Sequence, residues 1–522
     1  MLKLFFPEKK RTLTALLWLL AVGTILVWLS QWSLSDYGNY YYGSRFLLDG
    51  KFNASVYDPW SFNVMIEQFG EKGLYENYTP VPPFSAVFYV PFAFFSPGLS
   101  KIIFSIFGLL VFATGVYSCD GLFKRISFGG LVVLLVLPLL TNIEAGQTYL
   151  LLAGMLLLGW RFYHDKKYLW AALLWGIAIH LKVSPAIVVV FLLLEKDWKM
   201  LAWLTAAVVV LFLVTLPVVP FSIWKTYGLE ILPRLSQNEV NDPFTSFAQT
   251  PATFLRQLFV RDALLNPAAP FDAPQAFVVL NAICSVLLLA GAALVSSAKQ
   301  LKPFTRFAFW IFTGMLVSGY STGYGIFLLL LPMIAIGEER PGKKGLVIIL
   351  LLAASSVLLI HLFAQSNYFL RYLRLWLMLA AWIWFIVLLR PSFRFSYIGI
   401  LICLLPLFRI FRPQPEDNSR YLLDNEVELL TGDYQWKNDS LVMEVRNGRG
   451  IATVIQSVPG AASTDERLTV RDNQLFFEGR QLTFTPDRKK KPLRMSTGDI
   501  VYLSDKNRGV GFYALRVLPF RK

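Results

Sequence analysis

Long apolar blocks alternate with short polar stretches along the first four-fifths of the chain. A block of about twenty apolar residues is what a helix needs to cross a bilayer, and shorter ones serve where helices line a cavity. On that reading the pattern predicts helices over 12–32, 99–118, 126–141, 148–162, 168–181, 184–195, 200–220, 276–297, 303–319, 323–337, 345–364, 372–389 and 395–410. That makes about thirteen spans. The period changes after Arg412. Segments such as SLVMEV, ATVIQSV, RLTV, QLTFTP and DIVYLS alternate apolar and polar positions between NG, DN and DKNRG turn signals, which predicts a small β-domain. The chain therefore divides into an all-α polytopic membrane part, 1–412, and a β-rich extramembrane part, 413–522.

Composition agrees with a bilayer setting. Hydrophobic residues make up 55% of the chain and charged residues 16%, against about a quarter charged in soluble proteins. The net charge of +15 does not imply nucleic acid, because the cations sit in short loops such as DGLFKR, RFYHDKK, EKDWK, AKQLKPFTR, GEERPGKK and RPSFR. All of these fall on the cytoplasmic face if the proline-rich stretch 82–97 dips into the membrane without crossing it. The first span lacks a small-residue cleavage site and is read as retained. Loop 33–98, loop 221–275, the turn NIEAGQ and the tail then face outward together. The protein is expected to be integral to the cell (inner) membrane, multi-pass, with its site on the extracytoplasmic side. Cys119, Cys284 and Cys403 lie in or at the ends of apolar segments, so neither disulfides nor a cysteine metal site is expected. There is no phosphate-binding glycine loop, no dinucleotide fingerprint and no His/Cys cluster with metal spacing. No cofactor is expected.

Chemistry-bearing residues gather on the outer face. Asp36 follows the first span directly, and helical continuation sets Tyr40 on its face, with Arg45 beyond. A lone acid there reads either as an N-cap or interfacial acid or as a catalytic group. Tyr37, Tyr40, Tyr41 and Tyr42 read either as interface anchors or as flat faces for sugar rings, and Arg45 offers a fork for phosphate or carboxylate. YDPWSFN, with Tyr57 and Asp58, and YENYTPVPPF, with Tyr78, mix aromatics, acids and prolines in the same long loop. Glu144 and Gln147 flank Gly146 at the start of a span, as caps or ligand contacts. His180 and Lys182 fall between two short spans, where a lysine must find an anion or water, a lipid phosphate being a natural partner.

Taken in order, DYGNYYYGSRFLLDG, VYD, YTPVPPFSAVFYVPF, EAGQTYLLL and LKVSPAIVVVFLLLEKDWK resemble glycosyltransferase family 87, over roughly residues 12 to 340. The resemblance implies a GT-C-like fold and transfer of a sugar, mannose or another hexose or pentose, from a polyprenyl-phosphate donor to an envelope lipid or glycan acceptor. It implies Asp36 as general base and Lys182 facing the carrier phosphate. Gln249 stands loosely where the family carries Asn-Gln-Ser, and SGYSTGYG offers Tyr320 and Tyr324 where a histidine is common. The tail has no counterpart in the family pattern. It is expected outside, holding acceptor or partner near the site, or else inside, resting its cationic run DRKKKPLR on anionic lipids. A transporter or flippase of lipid-linked sugars, a polymerase or ligase, and an assembly protein acting through the tail are the competing readings.

Overall fold

A computed structural model describes residues 9–30, 33–70, 74–239, 241–319, 323–356, 363, 366–391, 395–411, 417–423, 430–437, 440–447, 450–458 and 460–520. The helices run α1 Lys9–Leu29, α2 Tyr37–Leu48, α3 Pro59–Glu67, α4 Pro83–Phe88, α5 Val90–Ala93, α6 Pro97–Ser118, α7 Phe128–Leu134, α8 Val136–Ala145, α9 Tyr149–His164, α10 Tyr168–Leu181, α11 Ile187–Glu195 and α12 Trp198–Thr215. They continue as α13 Phe221–Thr226, α14 Leu232–Ser236, α15 Pro251–Phe259, α16 Pro274–Ser297, α17 Pro303–Val317, α18 Leu330–Glu339, α19 Lys343–Ser356, α20 Tyr368–Arg371, α21 Leu373–Leu389 and α22 Tyr397–Leu404.

Every apolar segment read from the sequence carries helix in its described residues. Far fewer cross by their own length. Among the described residues, four helices are long and apolar enough to span a membrane: α1 from Thr12, α6, α12 and α16. The pair α7 and α8, bent by 70° at Leu135, makes a fifth. The others are shorter, and one of them is visibly interrupted. α10 stops at Leu181, Lys182 is extended (φ −148°, ψ 132°), and Ser184–Ala186 forms a 3₁₀ turn at Pro185, which lacks an N–H to donate.

Loop 33–98 is mostly helical in its described residues. Prolines 82, 83, 91 and 97 punctuate it into the short helices α4 and α5 before α6 begins. Most of its tyrosines do not stand free for ligands. Tyr37, Tyr41, Tyr42, Tyr57, Tyr78 and Tyr89 are buried against one another and against Phe46, Phe62 and Phe104, forming a second core above the helices. Tyr40 stacks on Tyr89 at 4.8 Å and 8°. Aromatic rings so grouped bury large apolar areas, which explains the cluster better than sugar stacking does.

The C-terminal strands are β1 Arg420–Tyr421, β2 Leu430–Lys437, β3 Ser440–Asn447, β4 Gly450–Ser457, β5 Ala462–Ser463, β6 Leu468–Arg471, β7 Gln474–Phe477, β8 Arg480–Gln481, β9 Lys489–Met495, β10 Ile500–Ser504 and β11 Ala514–Leu518. They form antiparallel sheets ordered β1-β11-β10-β9-β5, β2-β3-β4 and β6-β7-β8. Asp472 and Asn473, at φ 48° and 63°, make the two-residue hairpin turn between β6 and β7. The NG turn after Val445 and Arg446 lies partly outside the described residues.

This β region sits on loops 33–98 and 221–275. The run DRKKKPLR is not a free cationic patch, because each cation is paired: Arg488 with Glu230, Lys489 with Asp487, Lys490 with Asp58, Lys491 with Asp433 and Arg494 with Asp465. Arg446 reaches Glu67 at 2.7 Å and the carbonyl of Leu74 at 2.6 Å. Tyr421 and Asn507 both donate to Asp262 Oδ2, at 2.9 Å each. The surface these cations meet is acidic protein.

Candidate active site

A cavity of about 600 Å³ opens where the start of α2, the α8–α9 turn, the break after α10, α14 and the end of α17 converge. Asp36, Tyr40, Gln147, Lys182 and Tyr324 all line it. The two segments that hold Asp36 and Gln147 are locked by backbone geometry. Gly146 ends α8 in the left-handed region (φ 61°), and a Cβ there would fall 2.6 Å from Tyr37 Cβ. Only glycine fits the turn that brings Gln147 against the start of α2. Beneath it, buried Lys101 donates to the carbonyls of Ser30, Ser33 and Glu144, tying the end of the first span to the same turn.

Asp36 occupies the N-cap position of α2, yet its side chain caps no backbone N–H among the described residues. It turns into the cavity instead. Gln147 Nε2 donates to Asp36 Oδ2 at 2.6 Å, and Tyr324 OH donates to the same oxygen at 2.5 Å. Tyr40 OH donates to Gln147 Oε1 at 3.1 Å, which sets the amide so that its nitrogen faces the carboxylate. Both bonds made to Asp36 by described residues therefore fall on Oδ2, and Oδ1 is left open to the cavity.

Lys182 stands beside Tyr40. Its Nζ lies 5.6 Å from the ring centroids of both Tyr40 and Tyr149, within cation–π range. No carboxylate among the described residues pairs with it. A half-buried ammonium between two rings, with no carboxylate in salt-bridge contact among the described residues, has the chemistry to receive an anion. Behind Asp36, Glu76 is 2% exposed, and burial, followed by the nearby Asp36 charge, pushes its carboxyl well above the usual carboxylate range. Asn77, next in sequence, donates from Nδ2 to Asn241 Oδ1 at 2.9 Å, so two outer loops meet as amides on the cavity wall.

Other sequence candidates lie elsewhere. Arg45 reaches the carbonyl of Ala93 at 3.4 Å and Asp49 at 3.6 Å, so its fork serves the loop. Tyr57 OH donates to Val81 O at 3.2 Å and Tyr78 OH to Pro82 O at 3.4 Å, both buried. Asp58 is a true N-cap, accepting from Trp60 N and Ser61 N, and it also pairs with Lys490 of the β region. Glu144 is exposed outside the cavity, contributing its carbonyl to Lys101. His180 hydrogen-bonds Val208 O at 2.9 Å between Phe84 and Trp224. Gln249 ties α15 to α21 through Arg371 O at 2.7 Å and Leu375 N at 3.3 Å. Tyr320 lies outside the described residues. In each described case except Glu144, whose carboxylate is exposed away from the cavity, a neighbouring backbone group or ion takes the polar atoms that a ligand would need. Sequence reading missed Asn39, Tyr75, Asn77, Tyr149, Asn241, Arg409 and Phe512, which also line the cavity. For Asn77 a signal existed, since it sits in the YENYTPVPPF motif; Phe512 comes from the tail and gave none.

The model of glycosyltransferase family 87 matches residues 78–319. The match covers a little under half of the chain. On it, the protein is a glycosyltransferase. Gln147 and Lys182 fall inside the matched stretch, whereas Asp36, Tyr40, Tyr324 and the β region fall outside it. No curated protein and no solved structure matches the chain.

Proposed function

We propose that this family 87 glycosyltransferase moves a hexose or pentose, mannose being the first candidate, from a polyprenyl phosphate to a hydroxyl of an envelope lipid or glycan. The observation that carries the proposal is the uncapped carboxylate of Asp36 facing the same cavity as the acid-free ammonium of Lys182. One carboxylate and one cation are the minimum for a single displacement at an anomeric carbon. The acceptor oxygen attacks that carbon as its proton passes to Asp36 Oδ1. The bond from the carbon to the phosphate oxygen breaks, and the phosphate leaves with the electron pair toward Lys182. A single displacement inverts the anomeric configuration. Gln147 and Tyr324 hold Asp36 by Oδ2 throughout, and Tyr40 holds Gln147. We assign the reaction to the extracytoplasmic face of the inner membrane, because the short basic loops of the sequence favour the cytoplasmic side and loop 33–98 would then face away from it. On this topology the shorter helices complete about thirteen crossings around the cavity.

Purified protein in lipid nanodiscs, supplied with a polyprenyl-phosphate-linked hexose, should release polyprenyl phosphate, and a nucleotide-linked hexose alone should give no turnover. Turnover of the nucleotide sugar without turnover of the lipid-linked one would overturn the donor assignment.

A further inference from the structure

Phe512 is the point at which the β region enters the catalytic cavity. Its flanking residues are fixed to the membrane part, while its own ring remains half-buried and lines the opening. On one side, Gly511 sits at φ 79° with its α-carbon against Pro59, where any Cβ would collide, and its N–H donates to Asp505 Oδ2 at 2.7 Å. Asp505 is itself fully buried and receives Arg234 Nη1 at 2.9 and 3.1 Å. On the other side, Tyr513 OH donates to Asp58 Oδ2 at 3.3 Å. A fold that pins both neighbours and leaves the apolar ring at a wet cavity has a use for that ring, because exposing phenylalanine there gains nothing for stability.

The ring has company of a particular kind. Tyr75 from loop 33–98 lies 6.4 Å from it at 51°, and the amides of Asn77 and Asn241 line the same cavity. Aromatic faces beside amide donors and acceptors match the two faces of a saccharide ring, its C–H surface and its hydroxyl edge. A bare prenyl chain would leave unmatched the amide N–H groups that the Asn77–Asn241 bond does not use. Gln147 and Lys182 belong to the stretch shared with the family; Phe512 does not. We infer that the β region supplies an acceptor subsite, in which Phe512 and Tyr75 form a platform for a sugar ring of the acceptor and orient its hydroxyl toward Asp36. The inference rests on the transferase reading above and adds the acceptor class, a glycoside.

The test uses the full chain in nanodiscs, a polyprenyl-phosphate-linked hexose as donor, and octyl glucoside and octyl mannoside as acceptor probes, with release to water measured separately. Phe512→Ala should raise the KM for the better octyl glycoside about tenfold, with donor KM, hydrolysis to water and thermal stability unchanged. Phe512→Tyr should restore the KM to near the wild-type value. Unchanged acceptor KM in Phe512→Ala overturns the inference, as does an equal rise in donor KM, which would make the ring part of the lipid or donor site. If wild type hydrolyses the donor but transfers to neither glycoside, the platform reads no sugar ring, and the inference falls while the transferase reading stands. Absence of any donor turnover would instead remove the transferase reading.

Discussion

Replacing Arg234 with Met tests how the β region is held over the cavity. Arg234 and Asp505 are 5% and 0% exposed, and the guanidinium meets both carboxylate oxygens. Removing one partner of such a buried pair costs about 3–5 kcal/mol, because the other charge is left uncompensated. Asp505 keeps two backbone donors, Arg488 N and Gly511 N, each at 2.7 Å, which argues for the lower end, about 3 kcal/mol. That corresponds to roughly a hundredfold greater population of the undocked tail. Native-state proteolysis, in the regime where cleavage follows the open population, should release the tail about a hundredfold faster from the variant. The pH dependence has a definite sign. Burial raises the Asp505 carboxyl above its ordinary value, and Arg234 is the largest influence lowering it, so Arg234→Met drives it higher still. A raised carboxyl favours the docked state below its unfolded pKa and loses that benefit as pH rises through the docked one. The excess cleavage of Arg234→Met over wild type should therefore be largest near neutral pH and shrink toward pH of about 4, where unfolded Asp505 is protonated too. Equal cleavage rates, or an excess that grows on acidification, would refute the reasoning.

Lys182→Met should weaken binding of a polyprenyl-phosphate analogue by ten- to a hundredfold or so, since charge-assisted hydrogen bonds contribute about 1.5–3 kcal/mol; titration in nanodiscs measures it, and unchanged affinity would take the phosphate away from this residue. Gln147→Leu removes a donor to Asp36 and strands the Tyr40 hydroxyl, so kcat should fall by about tenfold or more while donor binding holds; a rise in donor KM alone would show Gln147 to be a binding group instead. Tyr324→Phe removes the second donor to Asp36 Oδ2 and should lower kcat by a comparable factor, about tenfold; together the two substitutions should lose less than the product of the singles, because both act through one carboxylate. A double variant that simply multiplies the single effects would argue that they act apart.

The sequence made some of this legible and hid the rest for physical reasons. Apolar blocks announce helices wherever they occur, so the helical segments were readable, but the count of full crossings was not. Breaks such as the 70° bend at Leu135 and the extended Lys182 depend on packing that the pattern does not record. Asp36, Tyr40 and Gln147 stand out at the ends of spans, Lys182 between two short ones, and Tyr324 where the family resemblance puts a histidine, and they meet at one cavity. Arg45, Asp58, His180 and Gln249 carry the same chemistry, yet each is satisfied locally, by Asp49, a helix N-terminus, Val208 O or Arg371 O. Nothing in one sequence separates a polar group turned toward a ligand from one turned toward a carbonyl. The cationic run 488–491 shows the same limit. Four consecutive basic residues read as a membrane-facing patch, but strand geometry and docking give each its own acid, three of them from outside the run's own strand and hairpin. Lys101 looked like part of a span and proves to fasten three carbonyls beneath the site. Long-range placement also concealed Phe512.

The central claim is that Asp36 takes the acceptor proton, and Asp36→Asn addresses it with the least structural disturbance. Asparagine keeps the size and an oxygen to accept from Gln147 or Tyr324, and it removes the basicity. Purified Asp36→Asn should bind the lipid-linked donor as wild type does and transfer its sugar about 10²- to 10⁴-fold more slowly at saturating substrates, the usual cost of losing a general base. Transfer at near wild-type rate, with the variant's fold intact, would contradict the account.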